Sequence, residues 1–174
     1  MKKNILVTGS TGFVGSHMVD FLLQNIKKIN IYCTKRYHLS RLDKVSHFYN
    51  KVHWIDCDIT DPIAVTNMIK KTKPLKIFHF AAESFVSPSW DHPSRFMSVN
   101  YNGTLNILDA IKNFSKNTKI IIPGSGEEYG EVLKKKLPIN NNTVLSPVNP
   151  YAVTKIAQDL INYVYFKSYG TKVI

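Results

Sequence analysis

Short apolar runs alternate along this chain with longer segments whose apolar residues recur every three or four positions. Residues 4–7, Asn4-Ile5-Leu6-Val7, form the first run. Over residues 11–23 the spacing turns helical, with Val14, Met18, Phe21 and Leu22 on one side. Residues 29–33 and 52–55 read as second and third strands. A helix is predicted over 62–71, with Asp61 as its N-cap and Pro62 at the first helical position, where a missing N–H costs nothing. Residues 76–80 form a fourth strand. Residues 104–114 form a helix with Leu105, Leu108 and Ile111 on one face, and 119–122 a fifth strand. A long helix follows over 150–169, capped by Asn149 and stopped by Gly170, and 172–174 open a sixth strand.

Strands alternating with helices imply parallel pairing and right-handed crossovers. The expected fold class is therefore α/β, a doubly wound, Rossmann-like parallel sheet. Two stretches are predicted to be irregular, 83–98 and 124–148, the second carrying Pro138, Pro147 and a run of asparagines. Both leave the carboxyl end of a strand, which is where open α/β sheets bind ligands. No internal repeat is present, and the chain is expected to be a fragment that stops within its last strand.

Composition narrows the function classes. The 174 residues suffice for one hydrophobic core, and 44% apolar content excludes a disordered chain. No apolar run approaches the eighteen or so residues of a membrane span, and Ile5-Leu6-Val7 is too short for a signal peptide. A cytoplasmic protein without a membrane partner is expected. The net charge of +11 comes mostly from scattered lysines, with Arg36, Arg41 and Arg95 the only arginines. That dispersal does not build a one-sided phosphate-tracking face, so nucleic acid is not an expected partner. Lys134–Lys136 reads as a solvated loop. Cys33 and Cys57 stand at strand ends without metal-ligand spacing, so reduced structural thiols and no metal are expected.

The most informative segment lies between the first strand and the first helix. In Thr8-Gly9-Ser10-Thr11-Gly12-Phe13-Val14-Gly15, Gly9 permits a tight turn, Gly12 lets a pyrophosphate approach the backbone, and Gly15 allows close helix–strand packing. The helix N-terminus adds free N–H groups and a positive dipole end. Dinucleotide binding follows, with Thr11 and Phe13 inside the loop. An acid ending the second strand would hold the ribose hydroxyls of NAD. This strand instead runs into Lys35-Arg36, suited to a 2′-phosphate. NADP is the expected cofactor, with NAD the less favoured alternative. Tyr151 and Lys155 lie four residues apart on one helix face, so an ammonium stands near a phenol and favours its phenolate, a base for a hydroxyl proton. Tyr163 and Lys167 repeat the spacing deeper in the helix and are assigned to its surface or core.

The spacing Gly-x-x-Gly-x-x-Gly, in the stretch Thr-Gly-x-x-Gly-Phe-x-Gly, resembles the extended short-chain dehydrogenase/reductase family, which holds nucleotide-sugar epimerases, dehydratases and reductases. That resemblance implies an NAD(P)-binding domain over 1–174, with a C-terminal substrate domain lying outside this chain. It implies cofactor contacts from Asp58 and Ile59 after the third strand and from Ala81 and Ala82 after the fourth. Ser125-Gly126-Glu127-Glu128-Tyr129-Gly130 resembles a stretch of the 4,6-dehydratases, implying that Ser125 binds the C4 oxygen and Glu127 removes the C5 proton. Residues 81–90 and 98–104 resemble the GDP-mannose branch, implying sugar contacts from Ser84, Val86 and Ser125, and a GDP-linked substrate. Glu83 departs from that branch, which usually carries Gln there. The Glu-Glu-Tyr-Gly ending is shared with 4-keto-6-deoxy-sugar reductases, so an NADPH-dependent reductase or a C4 epimerase stays open. Outside the enzymes, a non-catalytic NADP-binding protein is the alternative. The helices over 104–114 and 150–169 resemble the pair that joins subunits in the family, implying a homo-oligomer, with Tyr163, Phe166 and Tyr169 available for burial between subunits.

Overall fold

The computed structural model describes residues 2–174. Six parallel strands form one sheet: β1 (Lys3–Thr8), β2 (Ile29–Lys35), β3 (His53–Asp56), β4 (Lys76–His79), β5 (Lys119–Ile121) and β6 (Lys172–Val173). Their spatial order is β3-β2-β1-β4-β5-β6, which reverses direction between β1 and β4. The longer helices are α1 (Phe13–Asn25), α2 (Pro62–Thr72), α5 (Gly103–Phe114) and α6 (Pro150–Tyr169), with short α3 (Pro88–Asp91) and α4 (Pro93–Phe96) before α5.

Alternation along each strand feeds two cores, one on each face of the sheet. On β1, Ile5 and Val7 pack with Val19 and Leu22 of α1, with Ile31 and Cys33 of β2, and with Val45 and Phe48. Leu6, between them, points the other way and packs with Val65, Met68 and Ile69 of α2 and Ile107, Leu108 and Ile111 of α5. A fully buried aliphatic such as Leu6 contributes roughly 2 kcal/mol by removal of apolar area from water. Asp61 caps α2 by accepting from the N–H groups of Ile63 and Ala64 at 2.8 and 3.1 Å.

Two sequence expectations are corrected. The buried side of α1 is Gly15, Ser16, Val19 and Leu22, whereas Val14 and Phe21 are more than half exposed. Small residues have to face the sheet where this helix meets the loop before it. Residues 83–98 are not irregular throughout: Pro88 and Pro93 each open a helical turn, and from Pro93 the chain runs helically to Phe114 through a π-helical turn, Met97–Asn102. The two prolines do not break helices there; they stand at helix starts, where their fixed φ is favourable. Residues 124–148 hold only short 3-10 turns, Gly126–Tyr129 and Lys134–Lys136. No described helix is long and apolar enough to cross a membrane.

Candidate active site

Where the strand order reverses, a cleft of about 510 Å³ opens along the carboxyl ends of β1, β2 and β4. Gly9, Thr11 and Gly12 form its floor, Thr34, Lys35, Arg36, Ser40 and Arg41 one end, and Asp58, Ile59, Ala81 and Ala82 the opposite wall. Gly9 has φ +66°, and a Cβ there would stand 2.6 Å from Ala81 N. A Cβ on Gly15 would run into Gly9 O. Both positions therefore require glycine, and the loop lies flat beneath the first turn of α1. Ser10 and Gly9 pin it to β2: Ser10 Oγ donates to Thr34 O at 2.7 Å, and Gly9 N donates to Thr34 Oγ1 at 3.3 Å. This cradle fits a dinucleotide pyrophosphate. Phe13 lies outside the cleft, its side chain exposed at the start of α1, and Gly15 acts through packing.

The two cations at the end of β2 differ. Lys35 stands directly across from Asp56 in the β2–β3 register, and its Nζ meets Asp56 Oδ1 at 2.6 Å. It is a committed ion-pair member and not the free cation that its sequence position suggests. Arg36 is exposed and reaches the cleft, and Arg41 joins it from the following turn. That turn is closed by Arg36 N donating to Ser40 Oγ at 2.8 Å. Arg41 carries no local sequence signal for this role, since only the 3-10 turn Tyr37–Leu39 brings it back. Burial pushes the Asp58 carboxyl up, but hydrogen bonds from Thr60, with Arg36 and Arg95 nearby, outweigh it and hold the group below the usual range.

Ser125, Glu127, Tyr151 and Lys155 come from the loop after β5 and the start of α6. The adjacent carboxylates there are sharply distinguished. Glu128 is buried and its Oε1 accepts from Ser125 N at 2.7 Å, so it holds the loop in place. Burial raises its carboxyl, with Asp159 adding to the rise and Ser125 and Lys155 opposing it. Glu127 is exposed, with Oε2 accepting from Asn149 Nδ2 at 2.8 Å. Asn149 Oδ1 meanwhile accepts from Ala152 N at 2.8 Å, capping α6. One asparagine thus ties the exposed carboxylate to the helix end that carries Tyr151. Tyr151 is half-buried, edge-on to Phe96 with ring centroids 6.3 Å apart.

Lys155 is buried, and its Nζ donates to Pro123 O at 2.6 Å and to Gln158 Oε1. Burial lowers its pKa, against the pull of Glu128 and Asp159. Behind it runs a buried polar cluster absent from the sequence-derived set: Thr8, His79, Asn100, Thr104, Thr154 and Gln158. Ser84 and Val86 do not line the cleft, although their neighbours Glu83 and Phe85 do. Glu83 is paired with Arg95 at 2.7 Å and, through its backbone, with both ends of the Asn100 amide. Tyr163 is 59% exposed on α6, well away from the loop after β5. Among the described residues, no group of three or more His, Cys, Asp or Glu stands together as metal ligands.

Comparison with known proteins identifies the family. Residues 6–174 match the family model for GDP-mannose 4,6 dehydratase. The GDP-mannose 4,6-dehydratase of Vibrio cholerae is 33% identical over 180 residues, an alignment covering 98% of this chain and 47% of that protein. The crystal structure of the Thermus thermophilus UDP-glucose 4-epimerase in complex with NAD superposes with a TM-score of 0.87 at 29% identity, covering 98% of this chain and 53% of that one. The dTDP-glucose 4,6-dehydratase of Bacillus anthracis str. Ames, in complex with NAD, gives 0.85 at 28% identity, covering 98% and 53%. The chain spans about half the length of the curated relatives it matches. With a family match across nearly all of its length and a shared parallel-sheet fold, the chain belongs to the GDP-mannose 4,6 dehydratase family, among the nucleotide-sugar dehydratases and epimerases.

Proposed function

We propose that the protein carrying this chain is a nucleotide-sugar 4,6-dehydratase acting on GDP-mannose, with NADP held as an internal redox cofactor. The observation that carries the reading is the division of labour between Glu127 and Glu128. Glu128 is consumed in holding Ser125, whereas Glu127 is exposed beside the start of α6 and tethered through one oxygen.

In this reading the glycine loop and the α1 N-terminus bind the pyrophosphate, and Arg36 with Arg41 meets the 2′-phosphate. A nicotinamide cofactor held by these residues would supply the hydride chemistry, as acceptor of hydride from sugar C4 and donor at C6. Ser125 hydrogen-bonds the C4 oxygen. Tyr151, as phenolate, takes the C4 hydroxyl proton, and the Lys155 ammonium stabilises the phenolate. Once C4 is a carbonyl, the C5 proton is acidic; Glu127 removes it and, as the acid so formed, passes it to the C6 hydroxyl, which departs as water, while a solvent-derived proton is added at C5 when C6 is reduced. Ser84 and Val86 contribute to the sugar side. The exposed Leu160, Tyr163, Val164 and Phe166 on α6 supply the face for a homo-oligomer, with Tyr169 packed against Tyr165 at the helix end.

The test is incubation of the full-length protein with GDP-mannose and catalytic NADP. A 4-keto-6-deoxy product without net consumption of reduced cofactor is expected. One NADPH consumed per turnover on a 4-keto-6-deoxy sugar nucleotide would instead make the protein a reductase.

A further inference from the structure

The buried cluster behind Lys155 has a hydrogen-bond polarity that can be worked out atom by atom. Thr104 Oγ1 donates to Asn100 O at 2.7 Å, one helical turn back. Its single hydrogen is thereby committed, so toward its other neighbours it only accepts. Those neighbours are Gln158 Nε2 at 2.6 Å and His79 Nε2 at 3.0 Å. Gln158 Nε2 also donates to Asn100 O at 3.1 Å. Both amide hydrogens of Gln158 are therefore spent on α5 and the π-helical turn before it. The amide has one remaining polar end, Oε1, and that end receives Lys155 Nζ. The same logic fixes His79: Nε2 carries the hydrogen, so Nδ1 accepts from Thr8 Oγ1 at 2.6 Å. Thr8 is the last residue of β1, directly before the glycine loop.

We infer that Gln158 is a positioning residue for Lys155, and that the His79–Thr104 pair fixes the amide orientation in which it acts. This rests on the assignment of Lys155 to the hydride-transfer step. An ammonium has three hydrogens. Pro123 O and Gln158 Oε1 take two, which leaves one for Tyr151 or the cofactor. A flipped Gln158 amide would point N–H groups at the ammonium and leave it without its second acceptor. The cluster forbids the flip, because Thr104 has no hydrogen left to give. Gln158 is 2% exposed, so water does not replace the lost acceptor cheaply.

The charged and titratable groups around Lys155 are Glu128 from the loop after β5, Asp159 from α6 and His79 from β4, with Tyr151 four residues before it on α6. Burial already disfavours the ammonium, while Glu128 and Asp159 favour it. A neutral acceptor at Gln158 adds to the second side. Its removal therefore lowers the pH at which Lys155 loses its proton, and a carboxylate in its place raises that pH.

The experiment is a pH profile of single-turnover reduced-nicotinamide formation in the full-length protein, with GDP-mannose and NADP. Gln158→Met should move the alkaline limb down by about one pH unit, and Gln158→Glu should move it up by a similar amount. Thr104→Val should shift it in the Gln158→Met direction, by less. A merely structural residue would not give shifts of opposite sign from two substitutions at one site. Unmoved limbs, or limbs moving the same way in both Gln158 variants, would overturn the inference. If Gln158→Met does not fold, the upward shift in Gln158→Glu decides alone. Lys155→Met is run beside them. Retained hydride transfer there would refute the Lys155 assignment itself. Its loss with unmoved Gln158 profiles would refute only the positioning role.

Discussion

His79 links folding stability to pH, and the size of the link follows from its surroundings. It is 2% exposed, between Thr8 Oγ1 and Thr104 Oγ1. Burial, with the Lys155 charge adding to it, drives the imidazole down from 6.5 to about 3. Between those values the unfolded chain binds a proton that the folded chain refuses, so stability falls as pH is lowered through this window. Full linkage is worth about 1.4 kcal/mol per pH unit, so going from about pH 7 to about pH 5 costs roughly 2 kcal/mol. Below about 3 both states are protonated and the loss stops growing. His79→Gln keeps polar groups in the cavity but does not titrate. The assay is urea denaturation of the full-length protein and the variant at both pH values. The wild type should lose about 2 kcal/mol more than the variant over this interval. Asp58 and Asp109 have lowered carboxyls, which also favour the fold at higher pH, but they are present in both proteins and cancel. Equal losses in wild type and variant would refute a neutral, buried His79.

Three further outcomes are expected. Arg36→Ala should weaken NADP binding by about 1–3 kcal/mol, the scale of one charge-assisted hydrogen bond, and leave NAD binding unchanged; superimposable wild-type titrations of the two cofactors would contradict this. Tyr151→Phe should abolish hydride transfer with cofactor affinity nearly intact, while Tyr163→Phe on the exposed side of α6 should leave turnover unchanged; the reverse ranking would move the chemistry to the second motif. Leu160→Glu together with Phe166→Glu should convert an oligomer to a monomer by light scattering, and a monomeric wild type would remove the proposed role of the α6 face.

What is legible in the sequence follows the range of the interactions. Strands are legible because Ile5, Leu6 and Val7 alternate between two cores, a signal contained in adjacent residues. The glycine loop and the Tyr151–Lys155 spacing are legible for the same reason. The buried side of α1 is not, because Gly15 and Ser16 face the loop for their smallness and carry no hydrophobic signal. The helical turns opened by Pro88 and Pro93 are not legible either, since proline opens a helix and ends one with the same letter. In the site, the missing information is pairing across long separations. Asp56 neutralises Lys35 through the β2–β3 register, 21 residues away. Gln158 meets Thr104 across 54 residues, and His79 meets Thr8 across 71. A His in the otherwise apolar run Ile77-Phe78-His79-Phe80 is the one local hint that a buried polar partner is needed.

The most direct test of the dehydratase reading is solvent deuterium entering sugar C5. The full-length wild type, with GDP-mannose and NADP in deuterium oxide, should give a 4-keto-6-deoxy product labelled at C5. Glu127→Gln should keep cofactor affinity and C4 hydride transfer, yet lose elimination and C5 labelling by about 10²–10⁴-fold, the range for a positioned base. Glu128→Gln should keep the labelling, because an amide oxygen still accepts from Ser125 N in the buried position. Undiminished C5 labelling in Glu127→Gln, or its loss in Glu128→Gln alone, would contradict the account.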